Sequence, residues 1–293
     1  MTRALETVQE CKILRTNAKM SAKIGEYAYE ITRNGDQSTY SVTDGKDTIS
    51  IPIRWAFGLG SAGQTYFFER DGRWFESRVS YYSALHGLDV TMGAQGITPR
   101  NLEEAAGRLT GATEAGQCFD CHSTQAVKGM QLTLDRLIPG IQCERCHGDS
   151  RGHPQSKSMR HLGKLTSEET SDFCGQCHRT WSQIAMNGPR GILNVRFQPY
   201  RLANSKCYSS DDDRIACTVC HDPHRELETR AAAYDAKCQA CHSSLQSGVA
   251  RICKVAKNDC VTCHMPRLEL PGSHKQFTDH LIRIVKPNEK YPD

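Results

Sequence analysis

The pentapeptide Cys-x-x-Cys-His occurs six times in this chain and takes twelve of its fifteen cysteines. The first three copies are Cys118, Cys121 and His122; Cys143, Cys146 and His147; and Cys174, Cys177 and His178. The last three are Cys217, Cys220 and His221; Cys238, Cys241 and His242; and Cys260, Cys263 and His264. This spacing is the attachment signature of c-type haem. Two thiols three positions apart add across the two vinyl groups on one porphyrin edge, and the following histidine offers an imidazole nitrogen to the iron as proximal ligand. A chain carrying six covalently bound haem c groups must fold around them. In the part that bears the motifs, short helices carrying them and long loops between them are expected, with little regular sheet there.

Zinc and disulfide chemistry also use Cys-x-x-Cys pairs. Nothing in zinc coordination, however, calls for histidine directly after the second cysteine six times over. A thioredoxin-like redox motif would be expected once, beside a βαβ pattern, and none flanks these sites. The formal charge of +4 is no argument for nucleic acid. Two propionates per haem, set against one net positive charge on each ferric core, move the holoprotein to about −2 oxidised and about −8 reduced. No run of Lys or Arg suggests a polyanion partner.

Covalent attachment to this motif is completed outside the cytoplasm, so a periplasmic, cell-surface or extracellular location is expected. The first ten residues, Met1 to Glu10, have no apolar signal core or cleavage site. A leader already removed, or a start upstream of Met1, is the expectation, and the upstream start is favoured. No stretch reaches the length of a transmembrane helix.

All six motifs lie after residue 117, so composition divides the chain into a β-rich unit over 1–112 and a hexahaem domain over 113–293. Residues 24–82 read as antiparallel strands. The clearest hairpin runs Thr65–Arg70, Asp71-Gly72, Arg73–Val79, because Asp-Gly between aromatic-rich runs is a strong turn signal. A short helix is expected over Asn101–Gly107. The gaps between motifs are unequal, so they form a run of similar sites rather than a solenoid. The longest, 179–216, reads as a haem-free arm. Its Asp211-Asp212-Asp213 run lacks the spaced ligands of a calcium loop and reads as a solvated turn.

The second axial position of each iron decides between electron carrier and enzyme. Six histidines remain: His86, His153, His161, His224, His274 and His280. Their number is near the ordinary frequency of histidine, so placement counts for more. His224 lies three residues after His221, and three residues reach at most about 10 Å. As a ligand it would serve a neighbouring haem. His153 follows His147 across two glycines that permit a tight turn, and His274 and His280 follow the last motif. Met20 and Met130 are alternative ligands. Cys207 and Cys253 form a candidate disulfide outside the motifs, which leaves Cys11 over.

The segments Cys143-Glu-Arg-Cys-His-Gly148, Cys217-Thr-Val-Cys-His-Asp-Pro-His224 and Cys260-Val-Thr-Cys-His-Met-Pro266, with Phe277-Thr-Asp-His-Leu-Ile-Arg283, resemble the multihaem cytochromes related to cytochrome c-554. The resemblance spans roughly residues 15–293. It implies closely stacked haem pairs, mostly with two histidines per iron, and a protein that passes electrons. It also implies that His224 and His280, together with His153 and His274, are distal ligands. One departure is that similar sequences often carry a further haem motif before the segment matching Arg15–Met20, which is missing here. The expected fold is a mostly α and irregular multihaem cytochrome c fold, with short helices and loops around stacked haems and a small N-terminal antiparallel β-rich unit.

Three functions compete. The first is an electron-transfer protein that exchanges electrons with other redox proteins. The second is an enzyme acting on nitrite, hydroxylamine or nitric oxide at one open iron. Against it, all six motifs end in His, whereas a nitrite reductase of this lineage would carry Lys in one. The third is self-association into an extracellular conducting filament, for which His86 in the haem-free half is the candidate link.

Overall fold

The computed structural model describes residues 1–129, 131–148, 160, 162–243 and 253–293. His153, His161 and Met130 lie outside the described residues. The chain forms two units, one of residues 1–160 with 271–275 and one of residues 161–270 with 276–293. The boundary drawn from composition at 112/113 falls inside the first unit.

The two main sheets of the first unit are built from ten strands: β1 (Leu5–Thr7), β2 (Lys19–Ile24), β3 (Tyr27–Asn34), β4 (Gln37–Thr43), β5 (Thr48–Pro52), β6 (Trp55–Phe57), β7 (Gly63–Arg70), β8 (Arg73–Tyr82), β9 (Gly87–Val90) and β10 (Gly107–Thr110). Three helices join them: α1 (Lys12–Thr16), α2 (Leu102–Ala106) and α3 (Ala112–His122). One antiparallel sheet has the order β2-β3-β4-β5, and a second has the order β1-β6-β7-β8-β10 with β9 also paired to β8. The Asp71-Gly72 turn is present, with Arg70 opposite Arg73. Both turn residues have positive φ, 52° and 70°, the backbone a two-residue turn needs to match strand twist. The turn between β3 and β4 is Gly35-Asp36, since Asn34 pairs with Gln37.

Alternation along the strands makes two cores. Tyr29, Ile31, Tyr40 and Val42 of the first sheet share one cluster with Tyr66, Phe68, Val79 and Tyr81 of the second. Tyr40 and Phe68 stack with ring centroids 5.7 Å apart, so the sheets pack face to face. Met20, the alternative ligand, belongs to this core. The odd neighbours on the second sheet, Phe57 and Phe67, point to its other face and form a second cluster with Phe119 of α3. Trp55 and Trp74 complete the cage around Phe119, with centroids 5.9 and 5.5 Å from its ring. Phe119 is a variable position of the first Cys-x-x-Cys-His, so the motif is anchored to the sheet through its own interior. The helix α2 is capped by Asn101, whose side chain accepts from the Glu104 amide.

Among the described residues, a fourth helix of the first unit, α4 (Cys143–His147), carries the second motif, and the second unit holds six more: α5 (Ser167–His178), α6 (Trp181–Asn187), α7 (Gln198–Ala203), α8 (Cys217–Cys220), α9 (Asp235–His242) and α10 (Cys260–His264). Both α5 and α6 open with reciprocal capping boxes, Thr166 with Glu169 and Thr180 with Gln183. Asp213 of the acidic run accepts from the Ser167 amide at the start of α5, and Asp212 pairs with Arg214. A short hairpin of Arg267–Leu270 with Lys275–Thr278 follows α10. Helices of four or five residues have little stability of their own in water. Those bearing motifs depend on what packs against them.

Candidate haem centre

Each Cys-x-x-Cys lies within a helix. The first cysteines open α4, α8 and α10 as Cys143, Cys217 and Cys260, and lie inside α3, α5 and α9 as Cys118, Cys174 and Cys238. The second cysteines follow one turn later, as Cys121 in α3, Cys146 in α4, Cys177 in α5, Cys220 in α8, Cys241 in α9 and Cys263 in α10. Of these, Cys121, Cys146, Cys177 and Cys241 are half-buried, whereas Cys220 and Cys263 are exposed. Five of the proximal histidines (His122, His147, His178, His242 and His264) are the last residues of α3, α4, α5, α9 and α10, and His221 caps α8. On a helix, residues i, i+3 and i+4 share one face, so both thiols and the imidazole of each motif present on one side.

The imidazoles are also held in one orientation. The Nδ1 atom of His122 lies 2.9 Å from the Ala4 carbonyl oxygen, that of His147 3.2 Å from Arg160 O, and that of His264 2.8 Å from Arg283 O. His178 Nδ1 lies 3.2 Å from Gln198 Oε1, and His221 Nδ1 lies 3.4 Å from the Tyr234 hydroxyl, which itself donates to Glu228 O at 2.7 Å. In these five proximal histidines, Nδ1–H therefore has an acceptor and Nε2 is left as the lone-pair nitrogen. An acceptor at one ring nitrogen fixes tautomer and ring direction for ligation through the other. The chain's own donors thus fit a covalently held haem. The segment 179–216 is not a bystander, because it supplies Gln198.

Neighbouring motifs also interact. Asp120 of the first motif and Arg145 of the second form an ion pair at 3.1 Å. Cys174 and Cys217, the first cysteines of the third and fourth motifs, lie where α5 packs against α8, and their interaction raises the Cys174 thiol and lowers that of Cys217. Cys238 and Cys260, the first cysteines of the fifth and sixth, lie on the neighbouring helices α9 and α10, and burial is the main cause that pushes Cys260 up to about 12. The Asp235 carboxylate at the start of α9 accepts from the amides of Asp259 and Cys260, both at 2.9 Å. It supplies the N-terminal cap that α10 lacks.

The spare histidines separate. His280 lies beside His221, with ring centroids 6.1 Å apart. Its Nδ1 is 3.0 Å from Thr278 O, which leaves Nε2 open. Metal–imidazole bonds are about 2 Å long, so two imidazoles on one iron have centroids about 6 Å apart. Burial is the main cause that pushes His280 down to about 4, and it also lowers His221. Both rings are therefore neutral at pH 7, the form a metal takes. His224 is exposed, with Nδ1 3.4 Å from Asp222. His86 is exposed in the turn between β8 and β9, at φ 48°. His274, at φ 50°, sits edge-on to Tyr82, and its Nε2 lies 2.8 Å from Asp89 Oδ2. That contact engages the nitrogen left open in His280. Cys207 and Cys253 are exposed and carry no mutual bond in this structure. Cys11 is buried, its thiol donating to Gln64 Oε1 at 3.0 Å.

The family model of cytochrome c554 and c-prime matches residues 90–148, a span that holds the first two motifs. The chain is a multihaem c-type cytochrome. It is 24% identical over 174 residues to the multiheme cytochrome MtrA of Shewanella baltica, which covers 51% of this chain and 52% of that protein. It is 21% identical over 201 residues to the C-type polyheme cytochrome OmcB of Geobacter sulfurreducens, which covers 64% of this chain and 25% of that one. The cytochrome thus spans about half the length of one curated relative and a quarter of the other. No solved structure matches it. Among its described residues, no helix is long and apolar enough to cross a membrane.

Sequence reasoning missed Gln198, Tyr234 and Phe119. The first two act as acceptors across gaps of 20 and 13 residues, and no local pattern marks them. Phe119 had a signal, as a large aromatic inside a motif whose middle positions otherwise hold no aromatic residue.

Proposed function

We infer that this cytochrome is an electron-transfer protein that holds six haems c outside the cytoplasm and exchanges electrons with other redox proteins. The observation that carries this is the separation of His221 and His280, which suits one iron between two histidines. Such an iron stays six-coordinate in both redox states, which favours rapid electron exchange and excludes small ligands. The contacts between neighbouring motif helices support short steps between successive haems. When bound, the haems supply the one-electron chemistry. The chain's residues attach them, orient the proximal imidazoles and set their basicity through the acceptors at Nδ1.

The engagement of His274 by Asp89 favours a second reading, in which one iron lacks a distal histidine and binds a small nitrogen compound. Carbon monoxide separates the two. The holoprotein should show six haems per chain by pyridine haemochrome. After dithionite reduction, a carrier shows no spectral change with carbon monoxide. A stoichiometric adduct at one haem would overturn the carrier reading.

A further inference from the structure

Asp279 and Arg201 form an ion pair with no access to solvent, at side-chain exposures of 0% and 1%. The Asp279 carboxylate takes two N–H groups from Arg201, Nε to Oδ1 at 2.8 Å and Nη2 to Oδ2 at 2.9 Å. It takes a third from Arg283 Nη1 at 2.7 Å and the Leu281 amide at 3.0 Å. The remaining Arg201 donor reaches Pro292 O at 2.8 Å, and its guanidinium lies 4.6 Å from the Tyr291 ring centre. Burying such a group costs desolvation that apolar packing of the same volume would avoid. A pair of this kind is therefore informative about position rather than stability.

What it positions is the strip 278–283. Just after α7, which carries Arg201, Ser205 Oγ donates to His280 O at 3.0 Å and accepts from the Ile282 amide at 2.9 Å. The strip is thus pinned to α7 by the Asp279 carboxylate and by its own backbone. It serves two motifs. Its His280 ring faces His221, and its Arg283 carbonyl accepts from His264 Nδ1, while the Arg283 amide returns a bond to His264 O at 3.2 Å.

We propose that Asp279 is a positioning residue for two haems at once, seating His280 on the iron of the fourth motif and the Arg283 carbonyl on the proximal histidine of the sixth. This rests on the reading of His280 as a distal ligand, so the test carries its own control. His280→Ala holoprotein, reduced with dithionite, is expected to bind one carbon monoxide per chain. Asp279→Asn is expected to keep its haems and bind carbon monoxide at the same haem, at least tenfold more tightly than the parent. It should also raise the midpoint of one further haem, since a proximal imidazole that loses its acceptor stabilises ferric iron less. Ser205→Ala, which removes no charge, is expected to show both effects in weaker form and decides the matter if Asp279→Asn fails to mature. If His280→Ala binds carbon monoxide while both other variants stay silent, the positioning role is overturned and the ligand reading survives. If His280→Ala stays silent, the ligand reading falls and this inference with it. An open haem with no second shift overturns the two-haem claim.

Discussion

Phe119→Ala tests whether the first haem motif is held by the sheet or only by its thioethers. Phe119 is fully buried and touches four aromatic rings, those of Trp55, Phe57, Phe67 and Trp74. Truncating an enclosed phenylalanine to alanine costs about 3–5 kcal/mol. Edge-to-face contacts of this number favour the upper half of that range. With a urea dependence of about 2 kcal/mol per molar, a loss of about 4 kcal/mol lowers the unfolding midpoint by about 2 M. The assay is urea unfolding of the holoprotein read by tryptophan emission, which nearby haem quenches in the native state. Two of the three tryptophans touch Phe119, so the signal reports on this face. Phe119→Leu keeps most of the volume and is expected to lose about 1 kcal/mol, or about 0.5 M. A midpoint for Phe119→Ala within about 0.5 M of the parent would refute the anchoring role.

Tyr234→Phe removes the acceptor from His221 Nδ1. At 3.4 Å the bond is worth about 0.5 kcal/mol, so one haem midpoint should rise by about 20 mV in spectroelectrochemical titration. Gly140→Ala sets a side chain on a backbone at φ +70°, with its Cβ 1.7 Å from Thr2 O. It should cost more than about 1 kcal/mol and lower the melting temperature by at least about 2 °C. Arg70→Ala breaks the paired hydrogen bonds to Glu103 at an exposed site. It should cost less than about 1 kcal/mol and do so only at low salt, as chemical unfolding at two ionic strengths would show.

The haem attachments were legible because covalent chemistry leaves a local pattern, and the Asp71-Gly72 hairpin because its turn demands residues that tolerate positive φ. What the pattern could not convey was which face each element meets. The first motif follows β10 in sequence, yet Phe119 places it in a β core, so a boundary drawn at 112/113 cuts through one unit. His280 and His274 look alike in sequence, both after the last motif. Only tertiary structure sets one beside His221 and the other on Asp89. Asp279 and Arg201 are separated by 78 residues, and nothing local betrays that they meet.

The Asp235 carboxylate that caps α10 from the start of α9 has a consequence for how such a chain matures. A helix of five residues does not persist alone in water, so the sixth pentapeptide takes shape only when the fifth is in place.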